Sequence, residues 1–133
     1  KKFKLDKIDT YLKFEKKIEN IKNICNKKIK SILALKQTIH GYGASTKGNV
    51  ILQYFNIDNK QIKFISDRNP FKTSRYTPGT KIRIISEKKS RSLKPDYYFV
   101  LPWHFKKEII KREIKIRRKN TKFIFPLPKF SII

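Results

Sequence analysis

The sequence has a single cysteine and no long hydrophobic run. One thiol, Cys25, excludes a disulfide framework within the chain and any metal site built from several cysteines, and it favours a reducing, intracellular compartment. A run of about 18 apolar residues, which a membrane-spanning helix requires, is absent, and Lys1 to Lys7 lack the apolar core of a signal peptide. We therefore expect a soluble, cytoplasmic protein with no membrane partner. Because the chain does not begin with Met, we also expect that it was cut from something longer or processed.

Acidic residues are scarce, with 10 Asp and Glu against 34 Lys and Arg and a net charge of +24. Such a charge is typical of proteins that bind nucleic acid or an anionic membrane surface. However, 27 of the 34 basic residues are Lys, and they are spread throughout the chain. Nucleic-acid surfaces favour Arg and concentrate the charge on one face. We attribute the charge to the codon bias of an AT-rich genome, and a nucleic-acid-binding module stays an alternative.

The first part of the chain predicts a long amphipathic helix, because apolar residues recur in steps of three and four between Asp9 and Lys36. Asp9 is its predicted N-cap. A coiled coil is disfavoured because Lys28 interrupts the apolar seam. We expect the apolar face to pack against the rest of the chain or a neighbouring domain; its predicted members are Tyr11, Phe14, Ile18, Ile21, Cys25, Ile32 and Leu35.

After this helix, short apolar runs alternate with helical stretches, which is the pattern of a parallel sheet in an α/β fold. The chain thus divides into an amphipathic linker helix, residues 1–37, and an α/β domain, residues 38–133. In the last predicted helix, Ile109, Ile110 and Ile114 face inward. Strands are predicted at 38–40, 62–66, 81–85, 97–101 and 122–125, and helices at 50–55, 86–93 and 105–116.

A glycine loop separates the first strand from the helix that follows it. Glycine permits a tight turn, and the N–H groups at a helix start point toward an anion. Lys47 and Asn49 add a cation and a hydrogen-bonding side chain, so we predict a phosphate site. The alternative is that Gly41 and Gly43 only make the turn. The spacing is not that of a Walker loop or of the dinucleotide fingerprint, whose third glycine is replaced by Thr46.

A long polar loop follows the second strand. Asp67 ends that strand, where α/β folds often hold an acidic residue against a ribose hydroxyl. An aspartate before Arg68 and two further turn-forming residues is equally typical of a turn or cap. The loop reaches Thr80, and long ordered loops tend to carry function.

A third polar segment, Pro102 to His104, follows the most apolar strand, at the sheet edge where open α/β sheets bind ligands. Trp103 either stacks on a ligand or covers the core, and His104 either caps a helix or contacts a ligand. His40 is the only other histidine, so no catalytic triad or metal cluster is visible. We predict no catalytic and no metal-binding residue.

Five segments match one known family in order and spacing: Gly41–Asn49, Asp67–Lys72, Tyr76–Thr80, Leu101–Trp103 and Phe125–Pro128. Together they resemble the C-terminal domain of S-adenosylmethionine-dependent nucleotide-sugar C-methyltransferases. Each motif is weak alone, and their common register makes the resemblance specific. One departure is His104, where this family more often has Asn.

The resemblance implies a Rossmann-like domain: a mostly parallel sheet flanked by helices and preceded by the long N-terminal helix. In the proteins it resembles, a zinc-binding segment and a central S-adenosylmethionine domain come first. The whole enzyme methylates a ring carbon of a keto-sugar on a nucleotide diphosphate, and the central domain supplies the general base. This chain is then expected to hold no cofactor, to transfer no methyl group alone, to bind the nucleotide sugar and to contact both preceding domains. The predicted ligand-facing residues are Gly41, Tyr42, Gly43, Ala44, Ser45, Thr46, Lys47, Gly48, Asn49, Asp67, Arg68, Lys72, Tyr76, Pro78, Gly79, Pro102, Trp103 and His104.

Two other functions stay open. A basic nucleic-acid-binding module predicts an affinity that falls steeply with salt. A freestanding dinucleotide-binding protein predicts saturable binding of NAD, and the missing third glycine argues against it.

Overall fold

The computed structural model describes residues 4–117 and 119–133, without the side chains of residues 116 and 117. The first three residues of the predicted linker segment lie outside this description. The helices are α1 (Ile8–Ala34), α2 (Thr46–Tyr54), α3 (Glu87–Ser92), α4 (Lys106–Arg112) and α5 (Ile114–Arg117). The strands are β1 (Ile39–Tyr42), β2 (Phe64–Asp67), β3 (Arg83–Ser86), β4 (Tyr97–Val100), β5 (Lys122–Phe125) and β6 (Ser131–Ile132). Short 3₁₀ turns occupy Pro70–Lys72 and Trp103–Phe105.

The strands of the described residues form one six-stranded sheet in the order β3-β2-β1-β4-β5-β6. The first five strands run parallel, and β6 pairs antiparallel with β5. The α/β class and the mostly parallel sheet are therefore confirmed. The chain moves from β1 outward to β3 and then returns to place β4 on the other side of β1. The strand order thus reverses between β1 and β4.

Alternating side chains of the central strands build a separate core on each face of the sheet. On one face, Ile39 of β1 and Phe99 of β4 pack with buried residues of α1 and α2. On the other face, Tyr42 and Tyr98 pack with Ile109 of α4. Helix α3 lies on this second face, because its buried Ser90 bonds to Tyr98. The sheet is therefore covered on both faces, as parallel sheets generally are.

The long N-terminal helix is confirmed, but its start and its exposed half differ from the prediction. Lys7 occupies the cap position with no side-chain cap bond, and Asp9 lies inside the first turn. The prediction of Asp9 as N-cap is therefore wrong, although its charge there still favours the helix dipole. The helix packs on the core from Ile18 onward: Ile18 is partly buried, and Ile21, Cys25, Ile29 and Ile32 are buried. Tyr11 and Phe14 are exposed in the first half of the helix, and Leu35 is exposed just past its end.

The predicted helix after β4 is divided into two short helices. Glu113, with φ −96° and ψ 13°, ends α4, and α5 begins at Ile114. Ile109 is buried as predicted, whereas Ile114 is exposed, because the interruption changes the face that each later residue presents. No helix of the described residues is long and apolar enough to cross a membrane.

Candidate functional site

A cavity of about 490 Å³ opens at the carboxyl ends of the strands around the point where the strand order reverses. Open α/β sheets bind their ligands in this kind of crevice. The glycine loop after β1, the end of β2, the start of α3 and one side of α4 contribute its walls. The lining residues are Tyr42, Gly43, Ala44, Ser45, Ser66, Asp67, Arg68, Lys72, Glu87, Pro102, Phe105, Glu108, Ile109 and Arg112.

The glycine loop brings its backbone close to the end of β4. Gly43 has a φ of 79°, and a β-carbon there would lie 2.9 Å from the Pro102 ring, so a side chain would be both strained and crowded. Gly48, in the first turns of α2, lets that helix approach Leu101, which an added β-carbon would meet at 2.6 Å. Ser45 caps α2 by accepting a bond from the Gly48 N–H at 3.0 Å. The start of α2 is therefore held beside the cavity by close packing.

Asp67 ties the glycine loop to the end of β2. Its Oδ2 accepts the N–H of Ala44 at 2.8 Å, and its Oδ1 accepts the N–H of Asn69 at 2.8 Å. The Lys72 ammonium donates to the carbonyl oxygen of Ala44 at 2.7 Å and lies 3.5 Å from Asp67 Oδ2. These bonds make the carboxylate a structural support of the loop, which is the turn-forming alternative raised by the sequence.

We expect Asp67→Ala to lower the free energy of unfolding by about 2 kcal/mol, because two backbone N–H groups lose a charged acceptor. Urea denaturation followed by far-UV circular dichroism measures this. Asp6→Ala is the control: Asp6 is exposed and lies before α1, and its loss should cost no more than about 0.5 kcal/mol. Equal effects of the two substitutions would show that the Asp67 bonds do not stabilise the loop.

A buried carboxylate, Glu113, organises the α4 side of the cavity. It accepts the Tyr42 hydroxyl at 2.6 Å, Arg91 Nη2 at 2.8 Å and Arg112 Nε at 3.0 Å. Arg112 also donates to Glu87 at 2.8 Å and to the Tyr42 hydroxyl. Burial, together with the bond to Glu113, raises the pKa of the Tyr42 hydroxyl. The Tyr42 hydroxyl therefore keeps its proton and donates it in a hydrogen bond to Glu113.

The family model of the C-methyltransferase C-terminal domain matches residues 1–128. The chain belongs to this family. C-methyltransferase NovU of Streptomyces niveus is 32% identical over 123 residues, which make up 92% of this chain and 29% of that relative. The chain thus spans less than a third of the length of the relative.

The structure brings together part of the predicted set within this C-methyltransferase C-terminal domain. Eight predicted residues line the cavity: Tyr42, Gly43, Ala44, Ser45, Asp67, Arg68, Lys72 and Pro102. Gly41 is buried in β1, and Thr46, Lys47, Gly48 and Asn49 form the first turns of α2. Tyr76, Pro78 and Gly79 lie in the loop before β3, where the Pro78 carbonyl accepts a bond from Gln53. Trp103 packs partly against the core, and His104 is exposed in the same 3₁₀ turn.

Sequence reasoning missed six lining residues: Ser66, Glu87, Phe105, Glu108, Ile109 and Arg112. Ser66 could have been found, because it directly precedes the predicted Asp67 and the alternation of side chains along β2 places it on the opposite face from Ile65. The others begin α3 or belong to the turn and helix after β4. No local motif marks them, because folding alone brings them beside the glycine loop.

The lining of the cavity carries charges of both signs. Arg68 and Lys72 stand at the glycine-loop end, and Glu87 and Glu108 also line the cavity, so the lining does not select for or against the positive sulfonium of S-adenosylmethionine. Among the described residues, no group of three or more His, Cys, Asp or Glu side chains is placed to hold a metal ion.

Proposed function

We propose that this chain is the substrate-side, Rossmann-like domain of an S-adenosylmethionine-dependent C-methyltransferase that acts on a keto-sugar carried by a nucleotide diphosphate. Its role is to bind and orient the nucleotide sugar at the cavity, while the methyl donor and the general base come from other parts of the enzyme. The observation that carries this proposal is the formed cavity at the strand-order reversal of a C-methyltransferase C-terminal domain.

The fold and the charges of the cavity support this assignment. The order β3-β2-β1-β4-β5 is that of Rossmann folds, which bind nucleotides at this crevice. The start of α2, with the exposed Lys47 in its first turn, and the cavity-lining Arg68 and Lys72 favour an anionic group such as a diphosphate. A freestanding dinucleotide-binding protein is less favoured, because the Asp67 carboxylate supports the glycine loop through two backbone N–H groups.

The exposed half of α1 supports a contact with the preceding parts of the parent enzyme. Ile8, Leu12 and Phe14 are each more than half exposed and lie along a helix whose later turns pack on the sheet. Exposed apolar side chains gathered on one element are typical of interaction surfaces. We assign this half of the helix to the contact with the S-adenosylmethionine-binding and zinc-binding domains. A cytoplasmic location, where such an enzyme would meet its substrates, stays a prediction.

The test is a titration of the purified chain with a thymidine diphosphate sugar and, separately, with a short mixed-sequence RNA at physiological salt. Trp103, the only tryptophan, adjoins the cavity-lining Pro102 and serves as the fluorescent probe. We expect a saturable change with the nucleotide sugar. Arg68→Ala should weaken binding about tenfold, because the cavity loses a cation that a diphosphate would contact.

Two variants make the titration specific. Lys60→Ala removes an equal charge from an exposed turn outside the cavity and should leave affinity within twofold of the wild type. Lys47→Ala tests the helix start and should have an intermediate effect, because Lys47 lies outside the cavity lining. A response to RNA alone, or the same loss in all three variants, would contradict the proposal and indicate that the net charge of the chain governs binding.

A further inference from the structure

The cavity contains a second carboxylate at a strand end, Glu87, which directly follows β3. It lies beside Arg112 on the face of the sheet that α3 and α4 cover, whereas Ser45 begins α2 on the opposite face. The two ends of the cavity therefore differ in chemistry. The glycine-loop end presents the cations Arg68 and Lys72, whereas its backbone N–H groups at Gly43, Ala44 and Ser45 already bond within the chain. The other end presents the Glu87 carboxylate next to Arg112.

Asp67 is less available as a hydroxyl acceptor than its position at the end of β2 suggests. Both of its oxygens bond to backbone N–H groups, and Lys72 approaches one of them as well. These contacts use three of the about four acceptor positions of a carboxylate, and they hold the glycine loop in place. A cavity-lining carboxylate with fewer contacts is better suited to accept bonds from a ligand.

Glu87 is oriented for that role. Its Oε1 accepts Arg112 Nη2 at 2.8 Å, and its Oε2 lies 3.4 Å from Arg91 Nη2. Its side chain is 17% exposed, so it is held in place while still reaching the cavity. A carboxylate accepts about four hydrogen bonds, which leaves acceptor positions beyond the two used by these arginines.

We propose that Glu87 determines specificity by accepting hydrogen bonds from the ring hydroxyls of the ligand. This inference rests on the proposed function and adds the residue that distinguishes a hydroxyl-bearing ring from the diphosphate alone. The Glu87 carboxylate accepts hydrogen bonds from hydroxyl groups, and the cations Arg68 and Lys72 attract phosphate, so the diphosphate lies at the glycine loop and the hydroxyl-bearing ring lies toward Glu87. Arg112 and Arg91 act through Glu87 by fixing the position of its carboxylate.

The experiment measures the affinities of wild type and Glu87→Gln for thymidine diphosphate, thymidine diphosphate glucose and uridine diphosphate. If Glu87 bonds to the hexose, the substitution weakens the affinity for thymidine diphosphate glucose about tenfold and leaves the affinities for the other two ligands within twofold of the wild type. If Glu87 bonds to the ribose, the substitution removes a preference for uridine diphosphate over thymidine diphosphate. Either pattern supports the proposal and identifies which ring supplies the hydroxyls.

Two further variants separate recognition from folding. Glu87→Asp keeps the charge between the two arginines but moves the carboxylate oxygens away from the cavity. This variant should also lose the ring-dependent part of the affinity, and it should unfold near the wild-type temperature. Glu19→Gln, on exposed α1, should change nothing in binding. If Glu87→Gln weakens all three ligands equally or leaves all unchanged, the role of Glu87 is overturned and the proposed function stands. If the wild type binds none of them, both are overturned.

Discussion

Glu113→Ala should be among the most destabilising single substitutions in this domain, lowering the free energy of unfolding by about 3 kcal/mol. The carboxylate is 2% exposed and accepts bonds from Tyr42, Arg91 and Arg112. Its removal leaves two neighbouring guanidinium groups without the charge between them. The expected cost lies at the lower end for a broken buried ion pair, because both arginines are partly exposed and can be rehydrated.

Urea denaturation gives the free energy, and a thermal scan should show a midpoint about 10 °C lower. Glu113→Gln keeps the volume and an acceptor for Tyr42, so its cost should be intermediate. Glu15→Ala, on the exposed face of α1, is the matched control and should change stability by no more than about 0.5 kcal/mol. A loss below about 1 kcal/mol in Glu113→Ala would mean that water replaces the carboxylate at little cost, and that the cluster does not hold α4 in place.

The sheet was largely predictable because each parallel strand is a short apolar run bounded by turns. All five parallel strands were found within about two residues of their bounds, the usual uncertainty of element ends. β6 was missed, because its two residues follow Pro126 and Pro128, which in the sequence indicate the end of the last strand. Its antiparallel pairing depends on the chain folding back onto β5, and no local pattern encodes that return.

The site was predictable only where its residues are close together in the sequence. The glycine loop and the end of β2 were found because glycines, strand ends and turn residues are neighbours in sequence. Glu87, Arg112 and Glu113 were not found, since their bonds join α3 to the end of α4. The end of α4 at Glu113 explains two differences from the prediction in this region. It places the Glu113 carboxylate in the interior, and it leaves Ile114, predicted to face inward, exposed. Charged residues in Lys-rich helices otherwise look like solvent-facing surface.

The second large effect is expected from His40, through pH. His40 is 5% exposed in β1, with Nδ1 2.7 Å from Ser90 Oγ and its ring edge against Phe64. Burial, and secondarily the charge of Lys63, lower its pKa from 6.5 to about 4. Well above pH 6.5 the ring is neutral in both states, and its contribution to stability is fully present. Between pH 6.5 and 4 the unfolded chain binds a proton that the folded chain does not, so stability falls by about 3 kcal/mol in total.

Denaturation of wild type and His40→Asn at half-unit steps from pH 7.5 to 4 measures this contribution. Asn keeps a polar atom near the position of Nδ1 and does not titrate, so the variant should be less stable at neutral pH but lose less stability on acidification. The difference between the two curves removes every acid-dependent contribution that the two proteins share. His104→Asn, at an exposed position, should follow the wild-type curve. Parallel curves for wild type and His40→Asn would mean that His40 takes up its proton in the folded state as readily as in the unfolded one, and that Ser90 accommodates the charged ring.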